Sequence, residues 1–250
     1  MLLAIDIGNT TIGLALMHQG KVDKEVKIDS TDNPVLLKSS LIKALNEISA
    51  MKFVKVVCIC SVFPKCTVLV YKFINKILNI DSKVVGKNIC VPIKNRYKNP
   101  KQVGQDRLVV AYAALKLYGK PIIVVDLGTA ITFDVVSSKG EYLGGVIVPG
   151  LRLSAESLFL KTALLPEINL KAPKSPIGRT TEESILSGLF YGYGAMCKGL
   201  IDQLHHDTKG KPKAVLTGGH TDLMKRFVSP KIRIIDPFLV YKGMYFLINP

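Results

Sequence analysis

The sequence predicts an α/β protein built from two duplicated lobes. Three observations carry this prediction. A strand–aspartate–turn–strand device occurs twice in the 250-residue chain, first at Asp6 and again at Asp126, so that one copy opens each half. Further strands of β-branched character follow each copy. Those strands then alternate with segments of helical periodicity. The expected division is an N-terminal lobe, 1–103, and a C-terminal lobe, 104–250.

In chain order, Leu2 to Ile5 reads as a buried strand that ends in Asp6. The turn Gly8-Asn9-Thr10-Thr11 follows, then a returning strand, Ile12 to Leu16, and a third strand over 21–28. Residues 33–50 form a helix, because Leu36, Leu37, Leu41, Leu45 and Ile48 recur at three- and four-residue steps. Asp32 or Asn33 caps it, with Pro34 in the first turn. Phe53 to Cys60 is a strand ending in the turn Ser61-Val62-Phe63-Pro64. A helix, Thr67 to Leu78, and a short strand, Lys83 to Val85, complete a β-β-β-α-β-α-β lobe.

Lys94 to Lys101 is polar, basic and proline-bearing, and reads as an exposed loop. A helix from Gln105 to Tyr118 carries Asp106 and Arg107 in its first turn, where the helix dipole by itself favours an acid. The plan then repeats, with strands at 121–126, 131–137 and 141–148 and a helix from Leu151 to Leu164. A long helix is expected from Thr181 to His205, although Gly188, Gly192, Gly194 and Gly199 lie within it. Glycine costs about 1 kcal/mol inside a helix. So many of them imply close packing against a ligand, a helix or a second subunit. A strand, 214–217, runs into Gly218-Gly219; strand 231–235 and a helix near 239–247 close the chain.

The duplicated hairpin has a chemical reading. A turn glycine lets the backbone approach a ligand, and turn N–H groups can face an anion. Thr129 adds a hydroxyl in the second copy. A carboxylate would repel phosphate directly, so Asp6 and Asp126 are expected to act through a bound cation. Two such grips, one per lobe, suggest a nucleotide held between the lobes.

Composition narrows the class. Hydrophobic residues make up 48%, which fits a soluble globular chain, and no apolar run of 18 residues lacks a charge. The first strand begins at residue 2, which leaves no room for a signal peptide. The five cysteines, an odd number, argue for reduced thiols in the cytoplasm. Cys58 and Cys60 share a face of one strand without a C-x-x-C pair, as buried thiols would. The net charge is +15, with lysines recurring in 94–101 and 209–213. A solvated lysine-rich surface, steering of small anions such as nucleotides, and nucleic-acid binding all fit this charge. The basic residues are dispersed, and no nucleic-acid-binding signature accompanies them.

Taken as an ordered set, the motifs resemble type III pantothenate kinase, of the actin/hexokinase-like ATPase superfamily. The matching stretches are DIGNTTIGLAL (6–16), SVFPKCT (61–67), GQDR (104–107), DLGTAITFD (126–134), GGVIVPG (144–150), GRTT (178–181) and LTGG (216–219). The resemblance implies two actin-like (ribonuclease H-like) lobes, each a mixed β-sheet flanked by helices, with a nucleotide cleft between them. It implies ATP-dependent phosphorylation of pantothenate, the first step towards coenzyme A, by a cytoplasmic homodimer. ATP with Mg²⁺ and a monovalent cation, potassium or ammonium, are implied as well.

By the same resemblance, Asp6, Ile7, Gly8, Asn9, Thr10, Thr11, Ile12 and Gly13 hold ATP, together with Thr129, Gly218 and Gly219. Tyr97, Gly104, Gln105, Asp106, Arg107 and Thr181 meet pantothenate, Asp106 accepts the proton, and Asp126 binds the monovalent cation. Gln105 departs from the family's more frequent alanine. Two rival readings remain: a sugar or small-alcohol kinase of the same superfamily, and a non-catalytic regulatory relative associated with nucleic acid.

Overall fold

Alternation along one strand sets the first sheet. In β1 (Leu2–Ile7), Leu3, Ile5 and Ile7 point to one face and Ala4 and Asp6 to the other. β1 pairs antiparallel with β2 (Thr11–His18), which pairs antiparallel with β3 (Lys21–Asp29). On its other side β1 pairs parallel with β4 (Val56–Ser61), which carries the short parallel strand β5 (Lys83–Val84). The register keeps like with like. Ile5 lies between Leu14 and Ile59, whereas Ala4 lies between Ala15 and Cys58, and Asp6 between Gly13 and Cys60. The sheet therefore has one face of large side chains and one that is small at its centre, with Leu2 and Met17 at its far end.

This computed structural model describes all residues except 49, 50, 209, 229–231 and 250. The large-residue face packs against α1 (Pro34–Glu47) and α2 (Pro64–Leu78), through Leu37, Leu41, Val70 and Ile74. Asn33 is the cap of α1: its Oδ1 accepts the Val35 and Leu36 N–H groups at 3.0 and 3.2 Å. The small-residue face instead receives α3 (Gln105–Tyr118) and a C-terminal helix, Leu239–Ile248. Val109, Tyr112, Tyr241 and Met244 lie there against Ala4, Ala15, Cys58 and Cys60.

The second sheet repeats the plan. β6 (Ile122–Leu127), β7 (Ala130–Val136) and β8 (Tyr142–Pro149) form an antiparallel run, and β9 (Lys213–Thr217) and β10 (Ile234–Ile235) extend it in parallel. The orders are β3-β2-β1-β4-β5 and β10-β9-β6-β7-β8, the same arrangement read from opposite edges. Ile123, Val125 and Leu127 pack against α4 (Leu151–Lys161), α5 (Thr181–Ser187) and α6 (Tyr193–Asp207). On the opposite face, buried Asp134 accepts hydrogen bonds from the Tyr142 hydroxyl (2.7 Å) and the Thr132 hydroxyl (2.9 Å).

The long helix expected over 181–205 is interrupted. Its middle, Gly188–Gly192, is a π-helical turn between α5 and α6. A π turn is the common way to insert an extra residue into a helix. α7 (Thr221–Met224) has too short an apolar pattern to be anticipated, and the C-terminal helix becomes α8. The helix expected over 33–50 ends at Glu47, and residues 49 and 50 lie outside the described residues. The strand expected over 231–235 is reduced to Ile234–Ile235, with residue 231 outside them. Cys58, Cys60, Cys66 and Cys197 are buried free thiols, and Cys90 is exposed.

The chain divides into two compact units, each assembled from separated stretches of sequence. One comprises Met1–Ile93, Lys98–Ala113 and the segment from Phe238 onward; the other comprises Lys94–Tyr97 and Ala114–Pro237. The reason is the small-residue face, which draws in the first part of α3 and brings α8 back from the far end of the sequence. Among the described residues no helix is long and apolar enough to cross a membrane.

The seating of α8 on α3 makes a prediction. A Cβ at Gly243 would lie 2.5 Å from Val109 Cγ1 and 2.6 Å from the Val109 carbonyl oxygen. Alanine normally gains about 1 kcal/mol over glycine in a helix, but overpacking costs about 1–3 kcal/mol. Gly243→Ala should therefore lower the urea midpoint. An unchanged or raised midpoint would contradict this packing.

Candidate active site

The first hairpin is anchored from the side. The Gly8 N–H donates to the Thr11 carbonyl at 3.0 Å and closes the turn. Ser30, just past β3, donates its hydroxyl to the Gly8 carbonyl (2.8 Å) and its N–H to the Thr10 carbonyl (3.0 Å). The turn is thus held by its carbonyls while Asn9 and Thr10 stay exposed at the tip. Ile7 and Ile12 are buried, so their side chains anchor the hairpin in the core. Asp6 is half-buried at the end of β1, beside Gly13 on one strand and Cys60 on the other.

The GQDR segment stands at the start of α3. The Asp106 carboxylate folds over Gly104, where a Cβ would overlap its Oδ1. That oxygen accepts the Arg107 N–H at 2.8 Å. Burial pushes the Asp106 carboxyl upward, and the Arg107 N–H and guanidinium pull it down less strongly. Local pattern alone, a helix N-terminus beside an arginine, suggests the opposite balance; burial by the small-residue face reverses it. Cys60 connects the two acids. Its thiol is pushed far up by burial, and the charges of Asp6 and Asp106 add to that shift. Arg107 is buried, at 8% exposure. The Gln105 side chain packs over Gly86, where a Cβ would lie 2.8 Å from its Cδ.

In the second unit, Asp126 ends β6, with Thr132 and Thr217 as cross-strand neighbours. Gly218 has φ +96° and rests against this carboxylate: a Cβ there would overlap Asp126 Oδ1 and lie 2.6 Å from the Leu127 nitrogen. The Gly218-Gly219 turn is pinned when the His220 N–H donates to the Leu127 carbonyl (3.0 Å). The Thr221 hydroxyl donates to the Gly218 carbonyl (2.7 Å). The Gly150 N–H donates to the carbonyl of exposed Thr129 at 3.0 Å and ties the end of β8 to the second hairpin. Asp126, Thr129 and Gly218 are therefore gathered at one end of this sheet.

Tyr97 is placed by β8. The Arg96 N–H donates to the Tyr142 carbonyl (2.8 Å), and the Tyr142 N–H donates to the Lys94 carbonyl (2.9 Å). Glu141 pairs with Arg96 at 2.8 Å and Lys94 at 3.2 Å, and the Arg96 hydrogen bond leads in holding its carboxyl below the usual range. The Tyr97 ring lies against Gly144, where a Cβ would come within 3.2 Å of Cδ2 and Cε2. Thr181 stands exposed at the first turn of α5. Its neighbour Thr180 caps the helix by accepting the Glu183 N–H (3.2 Å), while Glu183 reaches back past the cap to accept the Arg179 N–H (2.8 Å). Among the described residues no side-chain hydrogen bond ties Thr181 to the other expected site residues.

The structure thus joins Asp6, Gly13, Gly104 and Asp106 around Cys60 in one unit, and Asp126, Thr129 and Gly218 in the other. Sequence reasoning overlooked Cys60, Glu141 and Asp134 as supports. Asp134 closes the DLGTAITFD stretch and Gly144 opens GGVIVPG, so both lay inside quoted motifs. Nothing local marks Cys60 or Glu141.

Known proteins resemble this chain at two levels, family and fold. A family model described as type III pantothenate kinase matches residues 2–203. A type III pantothenate kinase from Persephonella marina (strain DSM 14350 / EX-H1) is 43% identical over 249 residues, covering 98% of this chain and 97% of that one. Among solved structures, a Campylobacter jejuni protein assigned to the Baf family of transcriptional activators superposes with a TM-score of 0.58 at 19% identity, covering 99% and 97% of the two chains. An inorganic polyphosphate/ATP-glucomannokinase from Arthrobacter sp. strain KM gives a TM-score of 0.51 at 15% identity, covering 99% and 98%. At such identities the structural likenesses carry the fold alone. The near-complete family match and the 43% identity carry more: the chain belongs to the type III pantothenate kinase family.

Proposed function

We propose that this chain transfers the γ-phosphoryl group of ATP to the primary hydroxyl of pantothenate, with Asp106 as the proton acceptor. The product is 4'-phosphopantothenate, which enters coenzyme A synthesis in the cytoplasm. The observation that carries the assignment of roles is the Asp106 carboxylate at the start of α3, folded over Gly104, raised by burial, and close enough to Cys60 that its charge and that of Asp6 act on one thiol. A raised carboxyl is a better proton acceptor than an ordinary one. Phosphoryl transfer has a loose transition state, so positioning and electrostatics supply most of the catalysis.

The remaining roles follow from residue chemistry. The first hairpin, Asp6 to Gly13, cradles the ATP phosphates with its turn N–H groups, and Asp6 faces the Mg²⁺ that ATP carries. Thr129, Gly218 and Gly219 are assigned to the nucleotide as well. Arg107 pairs with the pantothenate carboxylate or a phosphate through charge-assisted hydrogen bonds. Tyr97 and Thr181 contact pantothenate, and Gly104 makes room for Asp106. Gln105, packed over Gly86, shapes the wall behind them. The net charge of +15 draws in both anionic substrates.

The Asp126 site fits a monovalent cation. Its donors are hard oxygens, and Gly218, whose bare Cα lies directly against Oδ1, fixes that carboxylate in place. Potassium or ammonium held there would offset phosphate charge. A homodimer is supported by the helical segment 188–199. A Cβ on Gly188, Gly192 or Gly199 would meet no atom within 4 Å, unlike one on Gly194, which would strike Phe227. Three helix-weakening glycines with nothing against them suit the close approach of a second chain.

The overall reaction is tested by ADP release. It should require pantothenate, ignore glucose and glycerol, and fall when sodium replaces potassium and ammonium. ADP release with glucose but not pantothenate would transfer the assignment to the sugar-kinase reading. Turnover unaffected by sodium replacement would remove the cation role from Asp126.

Asp106→Asn should lower kcat by about two to four orders of magnitude, the usual share of general acid–base help. Its effect on stability should have the opposite sign. A carboxyl whose pKa is raised on folding binds more protons in the native state, so it favours folding at low pH. That contribution disappears as pH rises from the ordinary carboxylate range through the raised value. At neutral pH the Asn variant should therefore melt no lower than wild type. A folded Asp106→Asn protein with wild-type kcat would end the catalytic assignment.

The dimer is read by sedimentation equilibrium. Gly199→Leu should leave a folded monomer, whereas an unchanged mass would place the interface elsewhere.

A further inference from the structure

One buried side chain near the first hairpin has no part in the roles above. Tyr241 of α8 is 3% exposed and reaches the small-residue face of the first sheet. Its hydroxyl donates to Glu25 Oε1 of β3 at 2.8 Å. The same hydroxyl lies directly over Gly13: a Cβ there would overlap the oxygen and come 3.2 Å from Cζ. Gly13 is the cross-strand partner of Asp6, and Cys60 is the partner on the other side. The Asp6 carboxylate is therefore flanked by a phenol resting on Gly13 and by a buried thiol.

We infer that Tyr241, propped by Glu25, is a positioning residue that confines the Asp6 carboxylate and so orders the first hairpin for the ATP phosphates. The mechanism is steric. A strand-end aspartate beside two small residues, Gly13 and Cys60, would have free space on both sides. The phenol occupies the space that the missing Gly13 side chain leaves. Glu25 fixes the ring's reach, because a hydrogen bond to a carboxylate is short and directional. Burial first, and then the nearby charges of Asp6 and Glu25, push the phenol far above its usual range, so it stays a neutral donor at all working pH values. The glycine at 13 is then required by a residue of the C-terminal helix as well as by any approach of phosphate. The inference rests on the reading of Asp6 to Gly13 as the ATP site.

Calorimetric ATP binding in the presence of Mg²⁺, with the melting temperature measured alongside, tests the idea on the full-length protein. Tyr241→Phe should weaken ATP binding about three- to tenfold and leave the KM for pantothenate unchanged. Glu25→Gln, which keeps an acceptor, should stay near wild type, while Glu25→Leu should behave like Tyr241→Phe. In an Asp6→Asn background, Tyr241→Phe should have no further effect on ATP binding. Gly13→Ala should be worse than either single change, and Tyr241→Phe should partly restore it by removing the overlapping oxygen. A merely structural tyrosine would lower the melting temperature and disturb both substrates alike, independently of Asp6. That pattern, or wild-type ATP affinity in Tyr241→Phe, would overturn the inference. Absence of ATP binding in the wild-type protein would instead overturn the assignment of the hairpin.

Discussion

The arrangement depends on the unequal faces of the first sheet. Large residues on one side of β1, β2 and β4 drive burial: Leu3, Ile5, Leu14 and Ile59 are each fully buried against α1 and α2. Each such side chain contributes about 1.5–3 kcal/mol on leaving water. The other side is lined by Ala4, Ala15, Cys58, Cys60 and Gly13, and their small size lets α3 and α8 settle close to the backbone. Closeness has a chemical result. It buries Asp106 enough to lift its carboxyl, and it brings that acid to the same cysteine that neighbours Asp6. A larger residue at position 58 or 60 would hold α3 off and let water lower that carboxyl again.

The second sheet uses the same skeleton for a different task. Its central hairpin again ends a strand in aspartate, but the neighbour is Gly218, in a left-handed conformation that only glycine adopts cheaply. Here the small residue lets the carboxylate and the Leu127 backbone lie directly against its Cα. In the first sheet the equivalent room, over Gly13, is filled by Tyr241. One duplicated hairpin thus has two dressings, one closed over by a phenol and one by a glycine turn packed on the carboxylate.

Several supports lie far from the groups they hold. Ser30 pins the first turn by its carbonyls and leaves the tip exposed. Glu141 gathers Lys94 and Arg96 so that Tyr97 comes to rest on Gly144. Surface ion pairs of this kind add little to stability, about 0–1 kcal/mol each. Their value here is geometric, since they fix where a short segment crosses an edge strand.

Much of this protein was determined locally. Period-two strands, three-to-four helix spacing, Asn33 as a cap and the two Asp-Gly hairpins follow from interactions within a few residues, and those are written directly in sequence. The ordered motifs also carried the family, and with it the expectation of Asp6, Asp106 and Asp126 as functional acids. What the chain could not disclose by itself depends on long-range approach. The upward direction of the Asp106 shift is not written in its neighbours, because the deciding influence is burial by packing between segments far apart in sequence. The return of α8 to the first unit, the π turn within 181–205 and the phenol over Gly13 were likewise invisible. Each results from packing between segments far apart in sequence, where complementary shape decides and no local pattern records the partner.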